Sequence, residues 1–396
     1  MEAYVEDLYN RTDGLFVHRE RMLKDFVDIV SVDSPSLKER DMSVLLRQKL
    51  ESIGLAVYED GAAAAAGGEC GNLIAALQGE AGLPAVALLA HMDTVGPCAN
   101  KRCVIEGDIV RSDGKTILGG DNAAGILAAL EIARRAKDDG VRHGGILIIF
   151  TIAEEIGLLG AKYLDQALVK SALGKDEFPG YCYVFDSGGA PGTVVSGAPS
   201  HTDLIISVRG AAAHAGIEPE KGVNAIAVLS EAIAHMPLGR IDGETTANIG
   251  IIRGGGARNV VCGDAAAEGE ARSHDKSKLA RQVAAMKQCV DDACARAGAT
   301  YDFEEITSYN VFSLSEDEPV MKALFKAARV RGYELTPSQT GGGSDANILN
   351  AIGVPAANLP VGMYDVHSTA EYSNLRETDE TAELIVEALR QIAAGV

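Results

Sequence analysis

Tryptophan is absent from this 396-residue chain, and aromatic residues make up only 5% of it. A core must therefore be assembled mainly from Ala, Val, Ile and Leu. The 47% hydrophobic content supplies enough of them, and the length implies two or three domains. No run of 18 apolar residues exists, so no membrane-spanning helix is expected. Met1 to Lys24 carries alternating charges and no apolar stretch of the secretory kind, which places the protein in the cytoplasm as an expectation. The seven cysteines form an odd set without a C-x-x-C pair, which fits reduced thiols rather than a disulfide framework. Basic residues are also scarce, 36 against 56 acidic ones, for a net charge of −20. Nucleic acid is excluded as a partner by that balance, because its phosphates would be repelled. The glycine runs Gly254 to Gly256 and Gly341 to Gly343 precede no Lys-Ser/Thr pair, so they are poor phosphate cradles.

What the chain does have is a series of metal-ligating residue types set at the ends of apolar runs. His91-Met92-Asp93-Thr94 follows the run Pro84 to Ala90, Glu154-Glu155 follows Ile146 to Ile152, and Asp186 follows Tyr181 to Phe185. Such short runs read as buried strands. Asp121-Asn122 instead leads into a helix-like stretch, Ala123 to Ala136, and His367 stands alone far downstream. In an open α/β sheet, ligands sit beyond the carboxyl ends of the strands, where chain-distant residues converge. Two imidazoles and four carboxylates gathered there would repel one another unless cations lay between them. Imidazole and carboxylate without thiolate suits Zn²⁺, with Mn²⁺ or Co²⁺ as substitutes. A catalytic ion normally takes three protein ligands, so five candidates point to two ions sharing a carboxylate. Cys98 and Cys103 lie near the His91 motif but read as incidental thiols. His18, His143, His201, His235 and His274 read as solvated or hydrogen-bonded rings. The Glu154-Glu155 pair also suits a helix N-terminus, where the dipole favours acidic groups.

Along its length the chain changes rhythm. Up to about Ser200 short apolar runs alternate with helical ones, as in a layered α/β sheet. The low-complexity stretch Ala62 to Gly68 reads as a loop within it. Gly-Ala-Pro-Ser at 197–200 then punctuates the chain. A strand at 203–209, a helix at about 221–236, strands at 246–252 and 264–271, a helix at about 275–297 and a strand at 300–306 follow. That β-α-β-β-α-β order is the ferredoxin-like signature. The expected architecture is thus an α/β catalytic domain with a mixed sheet flanked by helices, formed by residues 1–199 and 309–396. Residues 200–308 form an inserted α+β domain.

Taken together, His91-Met-Asp93-Thr94-Val, Ser112-Asp-Gly with Leu118-Gly-Gly-Asp121, Thr151-Ile-Ala-Glu154-Glu155, Ala213-His214-Ala-Gly and Gly341-Gly-Gly-Ser344-Asp345 resemble one family. It is that of the co-catalytic di-zinc metallopeptidases of the peptidase T, carboxypeptidase and succinyl-diaminopimelate desuccinylase type. The match is nearest to the peptidase T-like branch, the tripeptide aminopeptidases, and spans nearly the whole chain. The resemblance implies that His91 and Asp186 bind one zinc, that Glu155 and His367 bind the other, and that Asp121 bridges them through a residue held in a cis peptide bond with Asn122. It implies Glu154 as general base and Asp93 as the carboxylate fixing the ring of His91. His214 becomes a donor to the oxyanion. Asn259 and Arg272 become substrate clamps, and Gly342, Gly343 and Ser344 meet the peptide main chain. The inserted domain becomes a lid through which a homodimer forms, each chain lending its His214 to the other's site. Where the tripeptidase branch often continues the bridging aspartate with Asp-Lys, this chain has Asn122-Ala123. Short peptides are the implied substrates. Aminopeptidase, carboxypeptidase and N-acyl amino acid amidohydrolase activities remain open on the same scaffold. A non-catalytic relative is a weaker reading, since Glu154 is not needed to bind metal.

Overall fold

The computed structural model describes residues 18–395, which form two compact units. The first runs to Ser196 and resumes over Leu314–Gln339 and Ser344–Val396, while the second is Gly197–Ser313 with Thr340–Gly343. The residues 1–17, on which most of the leader reading rests, lie outside the described residues.

In the first unit a mixed sheet runs in the order Ala56–Glu59, Leu73–Leu77, Ile146–Thr151, Val86–His91, Tyr181–Ser187, Ala356–Pro360, Thr193–Ala198. The four strands from Ile146–Thr151 to Ala356–Pro360 are mutually parallel, and their flanking neighbours are antiparallel. All six residues of Val86–His91 and of Ile146–Thr151 are buried, on both faces of the sheet. This accounts for continuous apolar runs in place of alternation, because helices cover each side. The helix Gly120–Asp138 packs on Val86–His91 and Tyr181–Ser187 and against the C-terminal helix Leu375–Ala393. Its alanines, Ala123, Ala124, Ala128, Ala129 and Ala133, are buried with Ile126, Leu127 and Leu130, as the scarcity of aromatics required.

One sequence expectation fails here. Ala62–Ala66 is a short α-helix rather than a loop, ended by Gly67 at φ 79°. Alanine is the strongest helix former, and glycine takes the left-handed closing position without steric cost. Low complexity concealed a propensity that favours helix.

In the second unit the antiparallel sheet order is Gly239–Arg240, Thr245–Gly254, Asp264–Ser273, Ser200–Arg209, Thr300–Tyr309. The helices Ala225–His235 and Lys276–Ala297 contribute Val228, Leu229, Met286 and Val290 to a core with Leu204, Ile206 and Val208. Its main elements follow the order β-α-β-β-α-β. The first helix begins at Ala225 rather than about residue 221, because the Asn224 side chain accepts from the Ile226 and Ala227 amides and caps it there. Pro219–Lys221 is a separate 3₁₀ turn. Among the described residues no helix is long and apolar enough to cross a membrane, and the seven cysteines are free thiols.

The helix that carries Asp121 is held by a buried ionic network. Glu131, fully buried, accepts from Arg135 Nε at 2.8 Å and from Arg21 Nη2 at 2.5 Å, and Arg135 also pairs with Asp379. Glu131 joins its own helix directly to Arg19–Val30, and Arg135 extends the link to Leu375–Ala393. Glu131→Ala removes the anion from Arg21 and one of the anions from Arg135, which keeps Asp379, and is expected to cost about 1–3 kcal/mol of stability. Urea denaturation checks this, and a loss under about 1 kcal/mol would show the network to be dispensable.

Candidate metal centre

Strand register brings the acidic residues together. His91 pairs with Thr151 across parallel strands, and Leu89 pairs with Val184, so His91, the Ile152–Glu155 turn and Asp186 leave the sheet at one carboxyl edge. Asp121 arrives from a different direction. Gly119 turns the chain at φ 76°, and Asp121 and Asn122 keep non-helical backbone angles, with a cis peptide bond between them, before the helix proper begins. His367 reaches the same place from a loop, at φ 62°.

Asp121 lies between the two imidazoles. Its Oδ1 is 3.0 Å from His91 Nε2, and its Oδ2 is 3.3 Å from His367 Nε2. Asp186 Oδ1 stands 3.6 Å from His91 Nε2, and Glu155 Oε1 stands 3.0 Å from His367 Nε2. Two groups have ligand atoms within 4.8 Å of one another: His91 with Glu154 and Asp186, and His91 with Asp121 and Glu155. All seven residues read from the sequence as ligands, base or supporting carboxylate therefore gather in the first unit.

The electrostatics demand positive charge. Burial opposes protonation of His91, yet hydrogen bonds to Asp121, Asp186 and Asp93 outweigh it and raise its proton affinity well above the usual histidine range. Hydrogen bonds to Asp121 and Glu155 lift His367 to about 10. Burial pushes Asp186 up to about 7 against the pull of His91, and burial with the charge of Asp186 holds Glu154 well above the carboxylate range. Asp121 is drawn the other way: burial is outweighed by its hydrogen bonds to His367 and His91. With only protons available, the rings charge and some carboxyls stay neutral. Divalent cations meet the same demand with a donor set of imidazole nitrogen and carboxylate oxygen, which suits zinc.

Neighbouring groups fix these residues. Asp93 Oδ1 lies 3.4 Å from His91 Nδ1, which also meets the Asp93 carbonyl at 2.9 Å. Asp93 accepts from the Glu154 and Glu155 amides at 2.9 and 3.2 Å and from Ser36 Oγ at 2.6 Å. Asn358 takes the Asp186 amide at 2.9 Å and returns Nδ2 to the Asp186 carbonyl at 2.9 Å. Sequence reading missed Glu371. Buried, it accepts from the amides of Leu118, Gly119 and Asp121 at 2.7, 2.8 and 2.9 Å, and so clamps the loop that presents Asp121. Its position four residues after His367 was the available signal.

Of the remaining candidates, Ser344 is in the first unit, where it caps the helix Asp345–Ala351 and its Oγ accepts from Asn358 Nδ2 at 3.3 Å. His214, Asn259, Arg272, Gly342 and Gly343 are in the second. Exposed His214 pairs with Val260 in a two-residue ladder, and the Asn259 carbonyl accepts from the Ala215 amide at 3.0 Å, so these two share one arm. Arg272 directs Nε and Nη2 to Glu270 at 3.1 and 2.9 Å and Nη1 to the Gly341 carbonyl at 3.4 Å. Hydrogen bonding from His201, together with Arg272, pulls Glu270 down to about 2.

Comparison with known proteins finds likenesses over most of the chain. The model of Peptidase family M20/M25/M40 matches residues 87–391. The uncharacterized protein YqjE of Bacillus subtilis (strain 168) is 37% identical over 377 residues, covering 95% of this chain and 100% of that protein. The crystal structure of aminopeptidase PepT from Bacillus cereus ATCC 10987 aligns with a TM-score of 0.82 and 38% identity, over 95% of this chain and 99% of that one. A tripeptidase from Staphylococcus aureus subsp. aureus mu50 aligns with a TM-score of 0.86 and 34% identity, over 95% of this chain and 99% of that one.

Proposed function

The chain belongs to peptidase family M20/M25/M40, and from that premise we propose that it is a di-zinc aminopeptidase releasing the N-terminal residue of short peptides, tripeptides in particular. The observation that carries the hydrolytic reading is Asp121, whose two oxygens each face one imidazole. The choice of aminopeptidase rests on the likeness to an aminopeptidase and a tripeptidase.

In this reading His91 and Asp186 would hold one cation, Glu155 and His367 the other, and Asp121 would serve both. Bound there, zinc-type ions supply Lewis acidity and bring the pKa of water from about 15.7 toward about 7. Glu154 takes the proton of the attacking water and delivers it to the leaving amine. Its buried setting among carboxylates favours the protonated form it must pass through. Asp93 keeps the ring of His91 in register. The inserted unit is read as a ferredoxin-like lid. Its His214 donates to the oxyanion, and Asn259, Gly342 and Gly343, with Ser344, receive the peptide main chain. Arg272 recognises a substrate carboxylate in competition with Glu270, which already occupies two of its nitrogens. The protein acts in the cytoplasm, as a homodimer joined through the inserted unit, with His214 serving the partner's site.

Substrate class is decided by a free tripeptide, its N-acetylated form and its C-terminal amide. Turnover is expected to be lost on acetylation and kept on amidation, and the reverse pattern would make the enzyme a carboxypeptidase or an N-acyl amino acid amidohydrolase. Elemental analysis separates the roles of the acids. Asp121→Ala is expected to lose most of both ions, whereas Glu154→Ala keeps them and loses about 10²–10⁴-fold in kcat. Full metal content in the first variant, or full activity in the second, contradicts the assignment. The shared site is tested by mixing two inactive variants, Glu154→Ala and His214→Ala. A mixed dimer with His214 acting across the interface has one intact site, so activity returns. No recovery after verified subunit exchange rejects that arrangement.

A further inference from the structure

The turn that carries Glu154 and Glu155 has an unusual support. Ala153 sits at φ 50°, and the backbone amides of Ile152, Ala153, Glu154 and Glu155 all donate to side chains rather than to a neighbouring strand. Asn72 Oδ1 takes the first at 3.0 Å, Glu39 Oε1 the second at 3.0 Å, and Asp93 the last two. Asp93 also touches His91, so its role is tied to the metal site. Glu39 has no such tie. Fully buried, it stands at the N-cap of the helix Arg40–Ile53 but makes no side-chain cap there. Its Oε1 also accepts from the Leu37 amide at 2.7 Å, while Oε2 finds no hydrogen-bond partner among the described residues.

A buried carboxyl group without a cation is costly unless hydrogen bonds offset its lost hydration, so its retention at this place asks for a task. Here the position of Glu39 specifies the task. The segment it belongs to is strapped to the His91 strand end, with Ser34 Oγ donating to the Met92 carbonyl at 2.6 Å and the Thr94 amide donating to the Ser34 carbonyl at 2.8 Å. Ser36, three residues before Glu39, holds Asp93. One rigid segment therefore reaches both carboxylates that grip the turn.

We propose that Glu39 is a positioning residue for the catalytic turn: as a fixed acceptor for the Ala153 amide, it sets the backbone from which Glu154 meets the water and Glu155 meets its cation. The proposal rests on the reading of Glu154 as the base. Burial, reinforced by nearby Asp93 and only partly offset by the amides, lifts the Glu39 carboxyl to about 7. The acceptor oxygen of Glu39, more than a full negative charge, is then what matters, and an amide preserves it.

The test compares Glu39→Ala and Glu39→Gln with Phe26→Leu, a change in the core of the same unit at a side chain that makes no hydrogen bond to the turn. Unfolding midpoint, kcat, KM and zinc kept against a graded chelator are measured for each. Glu39→Ala is expected to lower kcat by about 10²-fold with little change in KM, because misplacement of about 1 Å has that effect. It should also release zinc at lower chelator concentration. Glu39→Gln should restore both properties, and Phe26→Leu should lower the midpoint while sparing kcat. A Glu39→Ala enzyme no more impaired than Phe26→Leu overturns the proposal, and so does a Glu39→Gln enzyme as impaired as Glu39→Ala. If the wild type cleaves no peptide, the proposed activity fails separately. Zinc retention then decides, with equal retention in all three variants counting against Glu39.

Discussion

Four carboxylates and two imidazoles meet at one edge of a parallel sheet, and their mutual repulsion is the constraint to which the surrounding structure answers. Asp121 stands 3.0 Å from one ring and 3.3 Å from the other, with Asp186, Glu154 and Glu155 alongside. In water each acid would be solvated separately. Enclosed together, they require either protons or cations, and the raised proton affinity of both rings expresses that requirement. A site that must be neutralised from outside must also be held open to receive the ions, so its backbone cannot rely on the ligands to hold one another.

That burden falls on a second set of acids turned away from the centre. Glu371 takes three amides from the loop before Asp121, Asp93 takes two from the Glu154 turn, and Glu39 takes one more. Asp345, also buried, accepts from Thr151 Oγ1 at 2.5 Å at the end of the preceding strand. Loops that leave a sheet have amides without ladder partners, and an unmet buried amide is expensive. Carboxylates are strong acceptors for such groups. Some of the acidity that gives the chain its net charge of −20 is therefore structural and lies beside the site rather than on the surface.

The sequence revealed His91, Glu155 and Asp186 because each stands at the end of a buried apolar run, and Asp121 because it opens a helical one. A buried strand ends at His91, at Thr151 and at Ser187, and one strand register then aligns them. His367 needed the family resemblance, since nothing in its own loop marks it. Glu371 left only its place four residues after His367, and Glu39 left no local mark. They act on backbone 250 and 114 residues away in sequence, and a glutamate beside a helix start or a short strand ordinarily reads as a surface charge. Ala62–Ala66 was misread for a different reason: repetition suggested a loop where propensity favoured a helix. The helix start at Ala225 turned on a single cap, Asn224, that periodicity alone does not weigh.

The division of the chain separates two chemical tasks. Every group that faces the proposed cations belongs to the first unit, while His214, Asn259 and Arg272 belong to the second. Cation binding then depends on a core built from the sheet and on the helix Gly120–Asp138, whose geometry is fixed by burial and by the Glu131 network. In the proposed reading substrate recognition would fall to a sheet with its own core and its own ion pair, Glu270 with Arg272, together with Ser344 of the first unit. Changes to the second unit would then alter which peptide is accepted while leaving the proposed cation ligands in place. The first unit has less freedom, because Asp121 and Glu155 each face a ring there, and Asp93, Glu39 and Glu371 each hold backbone amides.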